Sequence, residues 1–80
     1  MMAERSNEYI NTLKSTLNAE DFGILKEINM RKLQASLDDY IKAKQYMVDH
    51  ELQNDAPLFA AYIEKRIITT QEFIFTWQES

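Results

Sequence analysis

The sequence predicts an all-α fold: a small helical bundle in which a short N-terminal helix joins a long antiparallel helical hairpin, completed by oligomerisation. Three observations carry this. A single glycine and a single proline occur in 80 residues, so tight reversals have few places to form. Apolar residues recur at steps of three and four through most of the chain, the period of one helical face. That period lapses at Asn18 and again at Gln53-Asn54-Asp55-Ala56-Pro57, where residues that start and stop helices collect. One domain, residues 1–80, follows, with helices expected near 4–16, 19–53 and 57–78.

The first helix rests on Tyr9, Ile10, Leu13 and Leu17, which share one face. The second has the best start signal in the chain. Asn18 can cap, Glu20 and Asp21 meet the positive end of the helix dipole, and Leu17 and Phe22 hold the staple positions on either side. Further along, Met30, Leu33, Leu37, Tyr40, Ile41, Met47, Val48 and Leu52 lie on one side, and Glu27 with Arg31 and Asp38 with Lys42 form i,i+4 pairs on the other. Phe22, Ile24, Leu25 and Ile28 fall out of phase with that stripe. A continuous helix from Asn18 to Gln53 is favoured, against a break near Ser36, where Asp39 three residues on completes a capping pattern.

Pro57 opens the third helix, since a first turn needs no donor there. Leu58, Phe59, Tyr62, Ile63, Thr70, Phe73, Ile74 and Trp77 form a broad apolar face, with Arg66 inside it and Ile68 and Phe75 on the opposite side. The expected core sets Leu33, Leu37, Tyr40, Ile41, Met47 and Val48 against Leu58, Phe59, Tyr62, Ile63, Phe73 and Trp77. A rival pattern makes residues 66–70 and 73–77 a β-hairpin, because Ile, Thr, Phe and Trp favour strands, but no Gly or Asn supplies the turn.

Composition narrows the function classes. A chain this short buries only about 60% of its unfolded surface, and without cysteine it has neither disulfides nor thiolate metal sites to compensate. Association with other helices is the expected remedy. The absence of cysteine fits a reducing cytoplasm, and no apolar run reaches the ~20 residues that span a bilayer, so a soluble protein with no membrane partner is expected. A net charge of −4 disfavours nucleic acid. Residues 26–44 run against that trend, with five cations (Lys26, Arg31, Lys32, Lys42, Lys44) against Glu27, Asp38 and Asp39. With Tyr40 and Tyr46 they resemble a basic, aromatic patch for single strands, though a solvated helix face with paired charges has the same pattern.

No catalytic constellation is present. His50-Glu51 lacks the second imidazole of HExxH because residue 54 is asparagine, and neighbouring acids such as Glu20 and Asp21 diverge around a helix. Neither a catalytic residue, a metal site nor a cofactor is expected, and the protein is read as a non-enzyme. The positions that break the binary pattern are more informative. Arg66 on an apolar face must snorkel, pair with a carboxylate or bind an anion. Ile68 and Phe75, one heptad apart, mark a helix-to-helix contact with another chain.

The nine residues from Asn54 to Tyr62 resemble the turn and second-helix start of type III secretion needle subunits and of the small helical co-chaperones of those systems. The resemblance implies two antiparallel helices about a polar, proline-containing turn, and a co-chaperone role as one alternative. It does not extend to the first 25 residues. The function expected from the residues themselves is non-enzymatic protein binding, as a small adaptor, inhibitor or assembly factor of bacterial or phage type, acting as a homodimer. Its expected interaction surface is Lys65, Arg66, Ile68, Phe75 and Trp77. The alternatives are a helical oligomer that holds a small anion between subunits near Arg66, Lys65 and Trp77, and a nucleic-acid regulator using residues 31–44.

Overall fold

A computed structural model describes residues 2–80, with side chains from Asn7 onward, as three helices. They are α1 (Met2–Thr16), α2 (Ala19–Asp49) and α3 (Pro57–Gln78), and no strand occurs among the described residues. The fold is a small all-α one, as expected. The β-hairpin alternative is overturned because the residues that favoured strands sit well in a helix: Thr69 and Thr76 donate their hydroxyls to the carbonyls of Lys65 and Glu72, each at 2.8 Å. That bond lets both threonines be buried without an unpaired oxygen.

The start of α2 follows the sequence signal. Asn18 Oδ1 accepts from the Asp21 backbone N–H at 2.7 Å, while Phe22 is buried and Leu17 packs against its cluster. The helix then runs unbroken through Gly23 and Ser36. It ends at Asp49 rather than Gln53. Glu51 takes a left-handed backbone (φ 54°), its N–H donates to the Val48 carbonyl, and the Leu52 N–H donates to the Met47 carbonyl. This is a Schellman stop, and the sequence hid it because its left-handed residue is a glutamate instead of glycine. Pro57 opens α3 at its first turn, and Ala56 before it offers no side-chain cap.

α2 and α3 run antiparallel, since Tyr40 meets Arg66 and, one turn on, Lys44 meets Glu64. α1 packs across one end of this hairpin, where Ile10, Phe22 and Trp77 form the buried centre with Leu13, Leu17, Leu25, Met30 and Leu33 around it. The out-of-phase start of α2 is thereby explained in part: Phe22 and Leu25 turn toward α1 and the end of α3. Ile24 and Ile28 stay exposed. Lys14 fastens this corner, reaching the Ser80 carbonyl at 3.2 Å and lying 5.9 Å from the Phe22 ring centre.

The expected hairpin core needs correction. Leu37, Met47, Ile63, Ile74 and Trp77 are buried, and Leu33, Tyr40 and Phe73 are half-buried. Ile41, Val48, Leu58, Phe59 and Tyr62, assigned to that core, are exposed. The reason is geometric. Two helices meet along narrow stripes, so residues about 60° or more from the contact line on either helix remain at the rim unless a third helix covers them. At 1.5 Å per residue α1 rises about 22 Å against about 46 Å for α2, and it covers only the near half.

Candidate interaction surface

Arg66 sits on the side of α3 that meets Tyr40 of α2, and that tyrosine decides what its guanidinium does. Nε donates to the Tyr40 hydroxyl at 3.2 Å, and the guanidinium carbon lies 5.5 Å from the Tyr40 ring centre. The residue is half-buried, with its guanidinium held against Tyr40 of α2. Its pKa is raised above the ordinary arginine value, first by the Tyr40 hydrogen bond, while partial burial opposes the shift. Arg66 therefore remains a cation throughout the neutral range. Among the described residues neither it nor Lys65 is paired with a carboxylate. With Tyr62 and Thr69 these two residues line an open hollow of about 240 Å³.

Ile68 and Phe75 are exposed, at 56% and 62%. Trp77 requires a correction, because it is buried in the Ile10–Phe22 cluster, 6.1 Å from the Phe22 ring centre, and so belongs to the core instead of the surface. It also lies 11 residues beyond Arg66, about 16 Å along α3, too far to share one small ligand with it. Lys65 is exposed on the same helix.

The surface around Ile68 extends onto α2, to Lys44 and to Val48, whose helical phase places it in the expected core. Two shallow hollows, of about 170 Å³ and about 40 Å³, share Lys44 and Glu64 in their linings. The first adds Ile67 and Ile68, and the second adds Val48, so these residues occupy one face of the hairpin. Lys44 Nζ and Glu64 Oε1 bridge it at 3.3 Å, both well exposed. Ile41, a heptad before Val48, continues the apolar edge of α2 on this face, as Phe75 continues that of α3. A second exposed apolar group, Leu58 with the stacked rings of Phe59 and Tyr62, marks the start of α3.

Two of the five cations of the basic patch are paired with carboxylates, while Lys26, Lys32 and Lys42 are in no ion pair among the described residues. Arg31 holds Glu27 at 2.6 Å, Lys44 holds Glu64, and the Tyr40 hydroxyl is engaged by Arg66. Asp38 accepts from Gln34 at 3.2 Å. His50 is exposed at the C-cap of α2 with its ring 4.2 Å from Tyr46, and no group of three or more His, Asp or Glu that could hold a metal gathers among the described residues. Nor is any helix among them long and apolar enough to cross a membrane.

Fold and surface together define a small all-α hairpin with a docked third helix and an uncovered apolar face. Compared with protein-family models, with curated proteins and with solved structures, the chain matches none.

Proposed function

We propose that this protein is a non-enzymatic protein-interaction module that self-associates, as a homodimer, through the hairpin face bearing Ile41, Val48, Ile68 and Phe75. The observation that carries it is the exposure of large apolar side chains at heptad spacing on both long helices of one face. Scattered exposed apolar residues need no explanation, whereas a contiguous patch along two helices is a contact surface. Light scattering over a range of concentrations tests it. The expected mass is twice the 9.5 kDa of one chain, and Phe75→Glu, at an exposed position, is expected to yield a monomer of unchanged helicity. A protein that stays monomeric at the highest concentration and binds no other protein overturns the proposal.

A second function is favoured by the hollow beside Arg66 and Lys65, two uncompensated cations next to a tyrosine and a threonine. It would suit a small anion such as inorganic phosphate. A phosphate-induced rise in melting temperature that Arg66→Ala abolishes would support this; no rise at millimolar phosphate removes it. The nucleic-acid alternative is less well supported, since Arg31 and Lys44 are held by Glu27 and Glu64, the Tyr40 hydroxyl is engaged by Arg66, and the chain's net charge is −4.

A further inference from the structure

We infer that the covering partner is a second copy of this chain related by a twofold axis running along the hairpin, so that α2 of each copy lies on α3 of the other and a four-helix bundle closes. The inference rests on the self-association proposed above and fixes its geometry. Of three features of the face, charge selects this axis, and helix direction and size are compatible with it.

The first is charge. The face carries Lys44 on α2 and Glu64 on α3 at the same height, 3.3 Å apart. An axis along the hairpin exchanges the two helices and preserves height, so Lys44 comes to lie over the partner subunit's Glu64, and Glu64 over the partner subunit's Lys44. Each bridge becomes part of a ring of four alternating charges. An axis across the hairpin stacks α2 on α2 and α3 on α3, and centred on this face it brings like charges together, which costs affinity.

The second is direction. With α2 on α3 of the other copy every neighbouring helix pair is antiparallel, as it also is with an axis across the hairpin. An up-down bundle that heptad-spaced apolar residues pack well therefore closes either way, and the charges decide between the two. Ile41 and Val48 lie within about 60° of Lys44 around α2, and Ile67 and Ile68 line the hollow beside Glu64, so apolar side chains flank the charge pair above and below.

The third is size. α3 rises about 33 Å, and two helices side by side are about 20 Å across, which gives a face of roughly 700 Å² before side-chain relief is counted. A stable interface needs about 800 Å² per partner, so the face is of the required order. Phe75 stays exposed at the end of α3 where α1 packs, so α1 lies against another side of the hairpin there and leaves this face open.

Charge exchange tests the contact and cross-linking tests the axis. Mixed Lys44→Cys and Glu64→Cys proteins are expected to form a disulfide between position 44 of one chain and position 64 of the other, whereas ready 44–44 cross-linking of Lys44→Cys alone overturns the twofold along the hairpin. Lys44→Glu alone sets Glu over Glu, and Glu64→Lys alone sets Lys over Lys, twice in each homodimer. Both variants change exposed residues and are expected to retain helicity by circular dichroism while their dimers weaken by about tenfold or more in dissociation constant. An equimolar mixture of the two is expected to form a 1:1 heterodimer, because both inter-subunit contacts then join opposite charges. The double variant K44E/E64K is expected to dimerise like the wild type. If the wild type dimerises but the mixture gains nothing over the single variants, the twofold arrangement is overturned and self-association stands. If the wild type is monomeric at every concentration, both fall.

Discussion

Among the described residues Glu51 is the one non-glycine residue with a left-handed backbone. At φ 54° it occupies the left-handed position of the α2 stop, where a Cβ crowds the following carbonyl at roughly 1–2 kcal/mol. Part of that is offset in glycine by its greater unfolded freedom. Glu51→Gly is therefore expected to stabilise by about 1 kcal/mol, seen as a melting temperature higher by about 4–8 °C. Asn18→Ala acts oppositely, losing the 2.7 Å bond to the Asp21 N–H, and is expected to cost about 1 kcal/mol in denaturant titration. Tyr40→Phe leaves the Arg66 guanidinium without its acceptor and is expected to cost about 0.5–1.5 kcal/mol. Its pH dependence follows from the raised Arg66 pKa. A raised folded-state value contributes stability that is complete below the unfolded pKa and fades only as pH climbs through the folded one, here in strong alkali. The wild-type and Tyr40→Phe stability curves are accordingly expected to stay parallel across the neutral range.

Among elements, α2 runs on through a glycine that its fold does not require. Gly23 has a helical backbone, is exposed, and has nothing within 4 Å of the position a Cβ would take. Gly23→Ala is expected to raise stability by about 0.5–1 kcal/mol, measurable by thermal melting, and a loss would show a close contact there. In α3 the two aromatic residues Phe75 and Trp77 have opposite roles. Trp77→Ala removes the centre against which α1 docks and is expected to cost about 3–5 kcal/mol, a large share of the stability of a chain this size. Phe75→Ala is expected to change monomer stability by less than about 0.5 kcal/mol.

At the scale of the whole molecule, shape sets the terms. The radius of gyration is 15.6 Å with extents of 49 × 23 × 14 Å, against about 12 Å for a compact chain of this length. A rod of this kind buries little per residue, and half of its hairpin has only two helices to share the apolar surface. If the dimer is the stable species, the melting temperature must rise with protein concentration, because association favours the folded state by mass action. Wild-type protein is expected to show that rise, and Phe75→Glu is expected to abolish it. Concentration-independent melting of the wild type would contradict the dimer.

Three helices, the Asn18 cap with its staple, the Pro57 start and the outward position of Ile68 and Phe75 were legible from residue spacing alone, because each depends on local periodicity and on backbone donors within a turn or two. Spacing did not determine the end of α2 at Asp49, where hydrogen bonds to Met47 and Val48 hold a glutamate in a conformation usually left to glycine. Nor did it separate Trp77 from Phe75, or show that Ile41 and Val48 lie at the rim. Periodicity reports which residues share a face, whereas burial depends on what stands opposite, and only the packing of α1 over one end of the hairpin decided which apolar side chains became core and which were left as surface.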